Sequence, residues 1–423
     1  MTPLILFSTA TVSLMIALFF FRKTFLAFGT VFFCSSCFGI AIASSFFAHA
    51  NSWSMRGGGL REMLVGSEIA LPVGQVFLST GILVIVGGLA CKSVLSIFGW
   101  SKEAVHSIPF NSDFRKSTSV QFLKYSGLFF YVIYYAQTFP ALISRDTYLF
   151  IEPGSALGTM RYISPLIGFL AIGFLRSSYS FSFILLFMLS IFNEIALSSR
   201  NAAALMAVLV LLVTNRIQNF FFKYFIFFVG IFLTYITFVF LLFSRKTQSY
   251  GIGGLVAQLS PFSKDFSTQS LGGGASEVFG NFLSVIPVTY LGLQIPTPES
   301  YLPISFNPLF GRDVGWYDIG YLFYVNPWTP SGAVAQVAGL NFSLIFLTWF
   351  SVGFLFQANS YLMQAGSSNS FLRTLSFTLP VFATLQFLQY TLRSGMRYVY
   401  LWSLVGLLSI LYKKLTSSID RPV

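Results

Sequence analysis

Charged residues are scarce in this sequence. They make up 9% of the 423 residues, apolar side chains make up 55%, and the mean hydropathy is +0.75. Soluble globular domains carry about 25% charged residues, so this composition excludes an ordinary soluble domain. A net charge of +12 would favour nucleic acid as the partner of a soluble protein, but here much of it flanks apolar runs. We therefore predict no nucleic-acid partner.

Histidine and cysteine are also rare. The two histidines, His49 and His106, lie far apart, and the three cysteines, Cys34, Cys37 and Cys91, all fall inside apolar runs. These numbers exclude a disulfide framework, a histidine metal centre and a histidine-based catalytic dyad. The sequence also lacks a phosphate-binding P-loop and a dinucleotide fingerprint. We expect neither a metal nor a cofactor.

Apolar runs of about 20 residues recur along the chain, each long enough for a helix to cross a hydrocarbon core of about 30 Å. A transmembrane barrel would alternate apolar and polar residues, which these phenylalanine-rich runs do not. The pattern predicts an all-α polytopic membrane protein of about eleven transmembrane helices without a cleaved signal peptide. The spans begin near residues 3, 25, 69, 119, 162, 179, 201, 220, 335, 374 and 397.

Basic residues occupy every second connection between the predicted spans. By the positive-inside rule these connections face the cytoplasm, with the amino terminus outside and the carboxyl terminus inside. We therefore expect a multi-pass protein of the bacterial inner membrane. The cytoplasmic residues are Arg22, Lys23, Lys92, Lys102, Arg115, Lys116, Arg176, Arg216, Lys223, Arg373, Lys413 and Lys414.

One connection is far longer than the others. It divides the chain into residues 1–243 with spans one to eight, a large periplasmic loop at 244–336, and residues 337–423 with spans nine to eleven. Frequent Gly and Pro exclude one long regular element in the loop. Its aromatic residues argue against disorder, so the loop is predicted to be folded and to contain short helical pieces.

Many basic residues lie on the outer side, against the positive-inside bias. Some of them can pair with acids or extend to the interface, which would explain their presence without a function. Their number indicates that these residues have a role other than setting the membrane orientation. They are Arg56, Arg61, Arg145, Arg161, Arg200, Arg245, Lys246, Lys264, Arg312, Arg393 and Arg397.

The segment ALSSRNAAALM joins the sixth and seventh spans. It places Arg200 at the start of a span and Glu194 inside the preceding one. An ionisable residue at that depth is a functional candidate, and the alternative is a structural contact between helices.

Two further segments concentrate polar groups on the outer side. In TLRSGMRYVYLW, Arg393 and Arg397 are four residues apart and share a helix face, with Tyr398 adjacent. A shared anion would relieve their repulsion, and guanidinium groups match phosphate oxygens. The loop segment NPLFGRDVGWYDIGY supplies Arg312, Asp313 and Asp318, for which a surface salt bridge is the alternative.

The span number, the long outer loop, the outer arginines and the segment LSSRNAAALMAVLVLL together resemble the O-antigen polymerase (Wzy) family. These oligosaccharide repeat-unit polymerases are lipid-dependent glycosyltransferases of the GT-C type. In the segment, Asn201 stands where Gly is commoner. The resemblance implies a polymerase that joins undecaprenyl-diphosphate-linked repeat units at the periplasmic face, with membrane lipids and a chain-length regulator protein as further partners.

The implied chemistry releases a diphosphate, whose growing charge needs preorganised cations. Arg200, Arg393 and Arg397 are the candidates for that clamp, with Arg161, Arg245, Arg312 and Tyr398 as further substrate-binding residues. Asp313, Asp318 or Glu194 would act as the general base, and the sequence does not choose among them.

Two other functions remain open. A lipid-linked oligosaccharide flippase would also need cations, but transporters concentrate charges near the membrane midplane and within internal repeats, which this sequence does not show. The related O-antigen ligases typically carry a histidine in the long outer loop, and residues 244–336 contain none. The polymerase is therefore the favoured interpretation.

Overall fold

The computed structural model describes most of the chain. The described residues are 1–22, 25–49, 53–55, 63–98, 118–145, 156–175, 181–199, 201–214, 217–246, 250–268, 284–309, 313–326, 329–366 and 370–419.

Helices make up nearly all of the described secondary structure. In chain order they are α1 Pro3–Arg22, α2 Phe28–His49, α3 Ser67–Ile97, α4 Thr118–Ile143, α5 Ala156–Leu175, α6 Phe181–Ala196, α7 Asn201–Thr214, α8 Phe220–Lys246, α9 Gly251–Thr268, α10 Val285–Leu293, α11 Tyr301–Phe306, α12 Trp316–Gly320, α13 Ala333–Ala338, α14 Phe342–Gly366, α15 Ser370–Gln389 and α16 Leu392–Ile419. Two small antiparallel ribbons pair β1 Trp53–Met55 with β2 Met63–Val65, and β3 Tyr324–Asn326 with β4 Thr329–Pro330.

Seven helices in the described part of the chain are long and apolar enough to cross a membrane, judged by length and composition. They lie within α1, α2, α3, α4, α8, α14 and α16. The prediction of an all-α, multi-pass membrane protein is confirmed at this coarse level. The shorter helix α6 and residues 163–172 of α5 are also apolar.

Two helices begin at residues other than those predicted from hydropathy, and a capping residue precedes each of these starts. The ninth span was predicted near residue 335, but α14 begins at Phe342, where the Asn341 side chain accepts a hydrogen bond from the Leu344 amide at 3.0 Å. The last span begins at Leu392 and not near 397, because the Thr391 hydroxyl accepts a hydrogen bond from the Ser394 amide. Such caps satisfy amides that lack a partner in the first helical turn.

The chain forms two compact units, one comprising Met1–Ile108 with Gly280–Val423 and the other Pro109–Phe279. The predicted loop at 244–336 is therefore shared between them: α9 belongs to the second unit, whereas α10 to α13 belong to the first.

In the first unit, α3 and α14 cross at very short range. A Cβ atom added at Gly87 would lie 2.1 Å from the Phe350 carbonyl oxygen, and one added at Gly353 would lie 2.1 Å from that of Val84. Small residues at such crossings allow helix backbones in a membrane to approach closely. The two glycines therefore set the distance between α3 and α14.

An aromatic cluster fills the core of the same unit. The Phe33 ring centroid lies 5.7 Å from that of Trp349, 5.8 Å from that of Phe356 and 5.7 Å from that of Phe387. The Trp402 ring packs on Phe356 at 5.6 Å. All five side chains are buried, so α2, α14, α15 and α16 form one packed bundle.

The second unit contains α4 to α9. Tyr134 and Leu142 of α4 pack in its core against Ala196 and Leu197 at the end of α6. The side chains of Ser164, Ser190, Asn193 and Glu194 lie buried in the same unit, which therefore has polar groups in its interior.

Candidate functional site

The site in the first unit is built where α16 begins. Thr391 caps this helix, which places Arg393 in its first turn and Arg397 in its second. Residues at i, i+4 and i+7 lie along one helix face, so Tyr400 follows these two arginines on the same side. The structure therefore aligns the two predicted arginines with a tyrosine that the prediction did not include.

Arg393 is buried, with 2% of its surface exposed. Its guanidinium group donates to three backbone carbonyl groups, those of Ile304, Asn307 (2.9 Å) and Leu309. Its guanidinium carbon also lies 5.8 Å from the centroid of the Trp316 ring. Arg393 thus contacts both described parts of a segment that we call the cap, residues 297–309 and 313–326.

Tyr400 reinforces this contact. Its hydroxyl group donates to the Phe306 carbonyl, the last residue of α11. Carbonyl groups at the end of a helix lack partners within the helix and carry the negative end of its dipole. Arg393 and Tyr400 therefore satisfy the end of α11 and fix it against α16.

A buried glutamine makes a second junction between the cap and α16. The Gln336 side-chain oxygen accepts hydrogen bonds from the Tyr301 hydroxyl and the Leu392 amide, and its amide nitrogen donates to the Ser331 carbonyl at 2.7 Å. The Thr297 hydroxyl donates to the Gln336 backbone carbonyl, also at 2.7 Å. Burial raises the pKa of the Tyr301 hydroxyl, which keeps it protonated as a donor.

Arg397 differs from Arg393 in being exposed, and Asp313 and Asp318 of the cap are exposed as well. Within the described residues, no acidic side chain forms an ion pair with Arg397. Tyr398 is half-buried, and its ring stacks on Phe382 of α15 at 5.6 Å with an interplanar angle of 12°. The first unit thus contains the predicted residues Arg393, Arg397, Tyr398, Asp313 and Asp318.

Glu194 is the centre of a polar cluster in the second unit, with 2% of its surface exposed. Its two carboxylate oxygens accept hydrogen bonds from the side-chain amides of Asn193 and Asn201, both at 3.1 Å. Asn201 opens α7, so its bond to Glu194 closes the turn between α6 and α7. Within that turn Ser198 takes a left-handed conformation, with φ 50°, which glycine adopts more easily.

Tyrosine and serine hydroxyls extend the polar interior of this unit. The Tyr131 hydroxyl lies 3.1 Å from that of Ser164, whose carbonyl accepts a hydrogen bond from Ser190 at 2.8 Å. Arg145, another of the arginines predicted on the outer side, is buried and donates to the carbonyl of Ala196, the last residue of α6, at 2.9 Å. Arg145 and Arg393 thus share one role, the capping of helix carbonyls.

The side chains of four predicted site residues lie outside the described part of the structure. Arg200 and Arg312 lie outside the described residues. Arg161 and Arg245 lie on α5 and α8, and their side chains are also outside the described part. Their assignment stays a prediction.

The predicted site residues did not include Trp316, Tyr400 or Gln336. The helical spacing of Tyr400 from Arg393 was a usable signal, since residues seven apart share a face. Gln336 interrupts an apolar stretch, and buried amides in such a position need partners. Nothing in the sequence pairs Trp316 with Arg393, because that contact joins segments far apart in the chain.

No group of three or more His, Cys, Asp or Glu side chains comes together among the described residues.

Comparisons with protein-family models, curated proteins and solved structures found no match to this chain. Its function must be inferred from the residues of its own sites.

Proposed function

We propose that this protein is a polysaccharide polymerase of the bacterial inner membrane. It joins oligosaccharide repeat units carried on undecaprenyl diphosphate, transferring the growing chain from its lipid diphosphate to the terminal sugar of an incoming unit. In this proposal about eleven helices span the membrane, the cap and the start of α16 face the periplasm, and the reaction occurs there.

The observation that carries the proposal is the exposed Arg397 in the second turn of α16, which forms no ion pair with an acidic side chain of the described residues. The reaction breaks a glycosyl–phosphate bond, so negative charge grows on the departing diphosphate. A fixed cation at the membrane surface stabilises that charge in the transition state. The guanidinium group suits this task because its planar N–H groups match two phosphate oxygens.

The acceptor sugar must lose a proton as its hydroxyl attacks. Asp313 and Asp318 lie on the cap with exposed carboxyl groups, which makes them available to an acceptor hydroxyl. Glu194 is less suited in the described structure, because both of its oxygens already accept hydrogen bonds. The proposal therefore assigns the general base to the cap carboxylates.

Deletion of the gene for this chain tests the proposal in cells. A polymerase predicts surface glycans that carry single repeat units in place of long chains, restored to long chains by a plasmid copy of the wild-type gene. Loss of all surface repeat units, with lipid-linked units accumulating on the cytoplasmic side, would instead indicate a flippase. Unchanged long chains would overturn the proposal.

A further inference from the structure

The N–H groups of Arg393 are directed at the cap. The three acceptors of its terminal nitrogens are carbonyl groups at or just beyond the end of α11. The side chain is buried, and its remaining Nε atom is buried without a hydrogen-bond partner among the described residues. A group enclosed in this way is poorly placed to receive a bulky lipid diphosphate.

The residues that Arg393 contacts are near the candidate general bases in sequence. Leu309, whose carbonyl Arg393 binds, is followed four residues later by Asp313, and Trp316, whose ring faces Arg393, is followed two residues later by Asp318. Arg393 thus holds the backbone at one end of this carboxylate-bearing segment and an aromatic side chain within it. Tyr400 holds the adjacent Phe306 carbonyl.

From this geometry we infer that Arg393 is a positioning residue. It fixes the cap against α16, so that the carboxylates of the cap and the exposed Arg397 keep a defined arrangement, and it does not itself contact the diphosphate. The inference rests on the proposed function, and it divides the predicted arginine pair into a substrate-binding member, Arg397, and a member that organises the cap.

Lysine cannot replace Arg393 in this role. A lysine has one terminal nitrogen, whereas the guanidinium reaches three carbonyl groups from two nitrogens in a fixed fork. Lysine also lacks the planar group that lies beside the Trp316 ring. Arg393→Lys therefore keeps the charge and removes most of the anchoring.

Four variants of the full chain, purified in lipid nanodiscs, separate the two roles. Arg393→Lys and Tyr400→Phe weaken the anchor, Arg397→Gln removes the exposed cation, and Arg22→Lys at the exposed end of α1 is the matched control. Hydrogen exchange followed by mass spectrometry reports on the backbone of residues 301–309. The affinity for undecaprenyl diphosphate, used as the probe, reports on diphosphate binding by Arg397. The polymer length in deletion cells complemented with each variant reports on turnover.

The two arginines are expected to give opposite results. Arg393→Lys should speed amide exchange in 301–309 about tenfold or more and shorten the polymer, while affinity for undecaprenyl diphosphate stays within about twofold of wild type. Tyr400→Phe should change exchange in the same direction by less, because it removes one hydrogen bond. Arg397→Gln should leave exchange unchanged and weaken the affinity about tenfold or more. The Arg22→Lys control should match wild type.

Two results for Arg393→Lys would overturn the inference, and a different result for the wild-type protein would contradict the proposed function. Unchanged exchange in Arg393→Lys together with an affinity loss like that of Arg397→Gln would make Arg393 a ligand of the diphosphate. Exchange, affinity and polymer length that all match wild type in Arg393→Lys would remove it from the site. Absence of undecaprenyl diphosphate binding by the wild-type protein would instead contradict the proposed function, and the inference would fall with it.

Discussion

The guanidinium carbon of Arg393 lies 5.8 Å from the centroid of the Trp316 indole ring. The two residues are 77 positions apart in the chain, one in the first turn of a span and the other at the start of the short helix α12. Their contact links α16, a helix long and apolar enough to cross a membrane, to the cap. It means that the arrangement of polar groups on the cap depends on a residue buried at the start of α16.

The exposed cation is the first target for mutation. Arg397→Ala should lower polymerisation at least about tenfold, because losing one charge-assisted contact to the leaving group costs roughly 1.5–3 kcal/mol. Arg397→Lys should restore it in part, since lysine keeps the charge and loses the bidentate fork. Gel analysis of polymer length alongside the amount of folded protein measures this effect. Normal chain lengths at normal protein level would remove Arg397 from the site.

Hydropathy located the arginines predicted on the outer side, but it could not show which groups they contact. The positive-inside rule identified Arg145 and Arg393 as unexpected outside the cytoplasm, and both are buried in the structure. Their hydrogen-bond partners include the backbone carbonyl groups of Ala196 and Ile304, and each guanidinium group also lies over an aromatic ring. A sequence pattern shows that a charge is out of place, but the carbonyls that it binds lie in distant segments and appear only in the folded chain.

The helical class and the approximate positions of the helices followed from the length and composition of the apolar runs. Helix starts depended on caps such as Asn341 and Thr391, which are polar residues next to an apolar run and can be read from the sequence. The division of the long loop between two units could not be predicted, because it depends on tertiary packing.

The close crossing of α3 and α14 predicts a large effect of a small substitution. Gly87→Ala places a Cβ atom 2.1 Å from the Phe350 carbonyl oxygen, so one helix must move, at a cost of about 1–3 kcal/mol or more. The melting temperature of the purified protein should fall accordingly. Gly39→Ala is the matched control, because nothing lies within 4 Å of the added atom. Equal melting temperatures for the two variants would contradict the crossing.

The cluster around Glu194 predicts a structural effect. In Glu194→Gln one carboxylate oxygen becomes an N–H group that faces the amide of Asn193 or Asn201, which costs about 1–3 kcal/mol for a buried unsatisfied group. We expect a lower melting temperature, and a smaller decrease for Asn201→Ala, which removes one donor. Normal stability of Glu194→Gln with complete loss of polymer would instead favour Glu194 as the general base.

The proposed topology can be tested with introduced cysteines. The three native cysteines are buried, so they should contribute little background labelling. Cysteines at positions 264 and 312 should react with a membrane-impermeant reagent in intact spheroplasts, and a cysteine at position 414 should react only after permeabilisation. Labelling at 312 only after permeabilisation would place the cap in the cytoplasm and remove the periplasmic reaction.

The central claim is that this protein by itself joins lipid-linked repeat units. The most direct measurement incubates the purified protein in nanodiscs with undecaprenyl-diphosphate-linked repeat units extracted from the deletion strain, without any nucleotide sugar. The account predicts a ladder of longer lipid-linked glycans, with one undecaprenyl diphosphate released for each new linkage, and a much weaker ladder with Arg397→Ala. Repeat units that remain single with folded wild-type protein, while membranes of the complemented strain elongate the same units, would contradict it.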